Sequence, residues 1–165
     1  MHPIVPEGWT DFAVASAGAA GALAGLIIVA ISVNVKEIIA GTALPARAGA
    51  TIASVALIVV ASIALLIPGQ PGLLLGAELI VFALVVLALE ADASVRILRS
   101  AEGASPRDKI GQVVLGIGQV VPVLVGGIVV ATGSPGGLYA VAAGFIAIFI
   151  VSILNAWVLM IEILR

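Results

Sequence analysis

The sequence predicts an all-α protein: a polytopic bundle of five transmembrane helices forming a single integral membrane domain over residues 1–165. Three observations lead there. Hydrophobic residues make up 62% of the chain and charged ones only 10%, which leaves too little polar surface to cover a water-soluble domain. The mean hydropathy of +1.33 points the same way. The apolar residues are also gathered into runs long enough to cross a ~30 Å hydrocarbon layer, without the alternation that barrel strands require.

The runs are Phe12 to Val35, Gly49 to Ile67, Leu73 to Ala91, Ile110 to Ala131 and Leu138 to Met160. Each break between them has explicit chemistry: Pro45 and Arg47, then Pro68-Gly69-Gln70-Pro71-Gly72, then the polar stretch Arg96 to Lys109, then Gly133-Ser134-Pro135-Gly136-Gly137. The two Pro/Gly breaks are short, so the second and third helices are expected to form one tight hairpin and the fourth and fifth another. The opening residues carry Glu7 and Asp11 but no Lys or Arg, the reverse of a secretory leader, so the first run is expected to be retained.

All the Lys and Arg fall on one side of this arrangement: Lys36 and Arg47 in the first connection, Arg96, Arg99, Arg107 and Lys109 in the third, and Arg165 at the end. The positive-inside bias therefore places these connections and the C-terminus in the cytoplasm, and the N-terminus and Pro/Gly turns outside. Trp9 and Tyr139 then fall near the outer interface and Trp157 near the inner one.

Composition removes several functions. A net charge of -2 carries no nucleic-acid footprint, and the absence of cysteine removes disulfides, thiolate metal sites and thiol nucleophiles. Intramembrane catalysis needs an Asp dyad, a Ser with a His or Lys base, or metal-binding His residues. The sole His is His2, and Asp11 and Asp92 stand at opposite membrane boundaries. Neither an enzyme nor a metal or cofactor site is expected. The expected partners are the lipid bilayer and either a second copy of the chain or another membrane protein.

Helix association within lipid is selected by small residues and polar contacts. Ala13, Ala17, Gly21 and Gly25 recur every four residues and are expected to pack, foremost against another helix of the same chain. Two acids lie within the runs. Glu90, close to the boundary with Asp92, Arg96 and Arg99, is expected at the wet end of the third helix, in weak solvated ion pairs. Glu78 lies ~9 Å along the helix from the outer turn, where an exposed carboxylate is unfavourable. By the same depth count Ser62 is placed to meet it across the hairpin.

The fourth run carries Gln112, Gly116, Gln119, Val123 and Gly126 on one small, polar face. Pro122 deprives the Gly118 carbonyl of its usual donor and is expected to kink this helix. A further polar layer is expected from Ser152, Asn155, Leu159 and Glu162 on the fifth helix, with Asn34 and Gln112. Two functions follow. The leading expectation is a non-enzymatic protein acting through helix association, as a homo-oligomer or accessory subunit. The alternative is a small oligomeric channel or proton-linked conductor using Glu78, Ser62, Gln112, Gln119 and Pro122.

The opening Trp9-Thr10-Asp11-Phe12, Ala17-Gly18-Ala19-Ala20 and Ile31-Ser32-Val33-Asn34, together with the closing stretch from Asn155-Ala156-Trp157 to Arg165, resembles a group of small actinobacterial multi-span membrane proteins. Some of these are labelled modulators of a membrane-anchored AAA protease. The resemblance covers the first and last helices best, and implies a bacterial plasma-membrane location and a regulatory partner.

Overall fold

The computed structural model describes residues 4–40, 44–100 and 105–162, with side chains for all of these except 37 and 158–162. The chain is built from α1 (Trp9–Val33), α2 (Val35–Ala40), α3 (Leu44–Leu65), α4 (Gly72–Arg99), α5 (Pro106–Gly118), α6 (Val121–Ala131) and α7 (Gly137–Glu162). No strand occurs among the described residues. Five helical stretches are long and apolar enough to cross a membrane, α5 and α6 together forming the fourth.

The helix ends follow local chemistry. Pro45 does not delay α3 to Gly49: it sits in the first turn, where a missing N–H has no intrahelical partner to lose. Asn34 interrupts the first stretch as the C-cap of α1, its side-chain amide donating to the Ala30 carbonyl. Ser105 caps α5 by accepting from the Asp108 N–H, with Pro106 as the first helical residue. Gly69 and Gly133, both at positive φ, carry the two Pro/Gly turns.

The α3–α4 and α6–α7 pairs are hairpins, α4 packs along α6, and α3 lies centrally, touching α1, α4 and α7. Phe145, Ile58, Leu75, Leu79 and Ile148 are fully buried and join the helices in one core. Many large apolar side chains face outward instead, among them Leu26 at 69% and Leu73 at 72% exposure, which suits a surface solvated by lipid. Near the Pro/Gly turns Trp9 meets Tyr139 edge to face at 5.1 Å and Phe12 stacks on Phe145 at 6.2 Å, tying the start of α1 to α7.

Close approach depends on glycines that differ from the ladder in α1. A Cβ on Gly76 would stand 2.4 Å from the Ala131 backbone nitrogen, one on Gly126 2.6 Å from the Gly137 carbonyl oxygen, and one on Gly144 2.5 Å from Val123. In α1, Ala13 is buried, but Gly21 and Gly25 are exposed and a Cβ on either would meet nothing within 4 Å. The ladder therefore does not pack along its length within the chain. α1 buries Ala13, Ser16, Ala20 and Ile27 instead, a face rotated away from Gly21 and Gly25.

Candidate functional site

Glu90 lies on the buried stripe of α4. Leu75, Leu79, Ala83, Val86, Glu90 and Ala93 recur at helical spacing, so the acid faces the bundle as the apolar residues above it do. It is only 7% exposed. Ser54, on the buried face of α3, donates its hydroxyl to Glu90 Oε1 at 2.8 Å. Gln119 donates its Nε2 to the same oxygen at 3.0 Å and lies 3.4 Å from Ser54 Oγ. Three helical stretches therefore converge on one carboxyl oxygen.

The convergence comes from the break in the fourth span. α5 stops at Gly118 and α6 starts at Val121, with Gln119 and Val120 between them. Pro122 has no N–H for the Gly118 carbonyl, and the Val120 N–H turns to Ile117 in a tighter bond. The site lies about 18 Å from the Pro/Gly-turn end, counting Gln119 to Ala131 along α6. Gly116 makes room for the other carboxyl oxygen: a Cβ there would stand 2.7 Å from Glu90 Oε2.

A cavity of about 440 Å³ runs from the Lys/Arg end to this acid. Arg47, Ile97, Arg107 and Asp108 line it together with Thr51, Glu90, Gly116 and Val151. Its volume falls within the range of small-ligand sites. One wall is α5, a helix with no buried residue. Opposite, Arg47 donates to Asn155 Oδ1 at 2.9 Å and Asn155 Nδ2 donates to Thr51 Oγ1 at 3.1 Å, joining α3 to α7. One turn deeper, Ser54 and Ser152 stand on these same two helices.

The polar groups behind this lining are not all paired. Gln119 Oε1 and Ser152 Oγ are buried without a hydrogen-bond partner. A buried acceptor left unpaired costs about 1–3 kcal/mol, which singles out Gln119, a residue only 3% exposed. The Glu90 carboxyl thus accepts two hydrogen bonds on Oε1 and sets Oε2 beside Gly116, which lines the cavity with it.

Several sequence-based expectations change here. Glu90 does not sit at a wet helix end: α4 continues to Arg99, and Arg96 pairs with Asp92 at 2.8 Å in an exposed ion pair without it. Glu78 does not meet Ser62. It accepts from Gln70 Nε2 of the Pro/Gly turn at 2.7 Å, while Ser62 Oγ is buried and unpartnered. Glu78 does not line the cavity; Gln112 does, whereas Gln119 and Pro122 lie outside the lining, Gln119 being joined to it through Glu90. The expected polar layer divides. Asn155 bridges α3 and α7, Ser152 stands alone and Asn34 bonds its own helix. The side chains of Leu159 and Glu162, as well as His2 and Arg165, lie outside the described residues.

Ser54 was not singled out by the sequence reading, although its spacing with Thr51, Ile58, Ala61 and Leu65 marks the buried face of α3. Glu90 carried the same signal, since it stands in register with Leu79, Ala83 and Val86. Depth counted from the end of an apolar run says nothing about which face an acid takes.

The fold and site define a helical protein with five stretches long and apolar enough to cross a membrane and a cavity lined by a buried acid. Comparison with protein-family models, with curated proteins and with solved structures finds no match.

Proposed function

We propose that the protein is a non-enzymatic conductor of protons or small cations in a bacterial plasma membrane, its Lys/Arg end facing the cytoplasm, and that Glu90 is the group that takes up the ion. The observation that carries this reading is the Glu90 carboxyl at the end of a cavity, held by Ser54 and Gln119 at a helix break. Intramembrane acids of this kind line ion paths, and interrupted helices supply the oxygens that such paths use. Purified protein in liposomes tests it. Flux driven by a pH or cation gradient is expected to fall at least about tenfold in Glu90→Gln and to persist in Glu78→Gln, since a neutral amide at Glu90 cannot exchange a charge. Equal flux in both variants, or none in the parent, rejects the reading.

A second reading is favoured by the outward face of α1, where Gly21 and Gly25 stand in open space. Small residues exposed to lipid let another helix approach closely, so this face suits assembly with a second copy or with a partner membrane protein. The mass of the nanodisc-embedded particle tests it, a single chain alone counting against assembly.

A further inference from the structure

The cavity has a side opening as well as an acid. α3 packs on α4 and on α7, and α4 packs on α5, but α5 does not pack along α7 among the described residues. On one side of the helix break the fourth span is held to α7 at Gly126 and Gly144; on the other, α5 stays with α4 and parts from α7. The ring of helices around the cavity is therefore open between α5 and α7. Leu115 of α5 and Leu154 of α7 line the cavity there and are half exposed. In a bundle surrounded by lipid, such a gap faces acyl chains.

We propose that the cavity holds the headgroup of a phospholipid bearing a primary ammonium, with the ammonium on Glu90 Oε2, the phosphate on the arginine side and the acyl chains leaving between Leu115 and Leu154. This goes beyond conduction and does not depend on it. Glu90 carries the argument. Ser54 and Gln119 both donate to Oε1, and no donor among the described residues meets Oε2. Nor is Oε2 sealed off, since the buried atoms without a partner among these residues are Ser62 Oγ, Gln70 Oε1, Gln119 Oε1 and Ser152 Oγ. One carboxyl oxygen of a residue only 7% exposed thus opens on the cavity, where a cationic donor makes a strong, charge-assisted hydrogen bond.

The rest of the lining fits a zwitterion. Its charged groups are Arg47 from α3, Glu90 from α4, and Arg107 and Asp108 from α5, so the two signs balance, and α7 adds none. The Arg47 guanidinium donates to Asn155, and Asn155 to Thr51, which lies about 5 Å along α3 from Ser54. Positive charge therefore stands about one helical turn from the acid, towards the Lys/Arg end, a spacing suited to a short ethanolamine link. Arginine serves several acceptors at once and matches phosphate oxygens well. Gly116 sets the kind of ammonium. A Cβ on it would stand 2.7 Å from Oε2, so the space beside that oxygen is narrow. A primary ammonium fits against it and donates; a quaternary one is bulkier and has no N–H.

The test uses the full chain in mild detergent, with native mass spectrometry following the first bound lipid. Phosphatidylethanolamine, phosphatidylcholine and phosphatidylglycerol of identical acyl chains are titrated in turn. Phosphatidylethanolamine is expected to bind at least about tenfold more tightly than either of the others. In Glu90→Gln the preference is expected to shrink to within about twofold, with phosphatidylcholine binding as in the parent. Should Glu90→Gln not fold, Gly116→Leu, whose side chain takes the space beside Oε2, carries the same comparison. Phosphatidylethanolamine binding no tighter than either other lipid, or a preference that survives in these variants, overturns the site. Displacement of the lipid by an equal concentration of soluble phosphoethanolamine overturns it too. Each of these results leaves liposome flux to decide conduction by itself. A preference lost in Glu90→Gln, without flux in the parent, supports the site and rejects conduction.

Discussion

Towards the Pro/Gly turns, α4, α6 and α7 meet backbone to backbone through Gly76, Gly126 and Gly144, whereas towards the Lys/Arg end the same bundle parts around a cavity walled by α5. The open half is also the more polar, since every Lys and Arg among the described residues lies towards it, but the close approach in the other half arises from geometry. In the closed half, each glycine removes a side chain where a neighbouring backbone passes, and the helices gain dispersion contacts that lipid cannot match. In the open half, Pro122 ends that regime. It separates α6, which is fixed on α4 and α7, from α5, which buries no residue. A closely packed half thus carries a half that opens on a cavity.

The contrast is most easily broken at Gly76. Leucine there meets the Ala131 backbone, which has no way to yield, so Gly76→Leu is expected to cost about 3 kcal/mol or more and to abolish recovery of folded protein from detergent. Next in size is Glu90→Leu. It leaves the Ser54 hydroxyl and the Gln119 amide without their acceptor, and a loss of about 2 kcal/mol is expected in denaturant unfolding. Glu90→Gln, which keeps an oxygen there, is expected to lose less than about half of that.

Gly116→Ala sharpens the comparison because its new methyl meets the end of a flexible side chain rather than a backbone. The carboxyl can swing aside, so stability is expected to change by less than about 1 kcal/mol while liposome flux falls several-fold. The smallest effect on the monomer is expected from Gly25→Leu, where a side chain enters open space. Unfolding within about 0.5 kcal/mol of the parent is expected, and a drop in particle mass in the same variant would assign that face to assembly.

These cases show how much of the molecule was legible in the chain. The number of spans, the two hairpins and the kink at Pro122 follow from apolar run length and from Pro and Gly, which act over a few residues. The roles of the two acids do not. Glu78 is deep by count, yet the adjacent turn supplies Gln70 as its partner, while Glu90 is near the end of its run but enclosed by α3 and the α5–α6 break. The glycines divide in the same way: the ladder in α1 is the more regular, and those in α4, α6 and α7 make the close contacts.

Composition and run length alone thus determined that the chain forms helices able to cross a membrane, because the transfer of some twenty apolar residues into lipid depends little on which neighbours they meet. The rotation of each helix about its axis, and with it the meeting of Glu90, Ser54 and Gln119, was decided only in the tertiary structure. Lipid and protein interior are equally apolar to a leucine, so rotation is chosen by backbone approach and hydrogen bonding between segments far apart in the sequence.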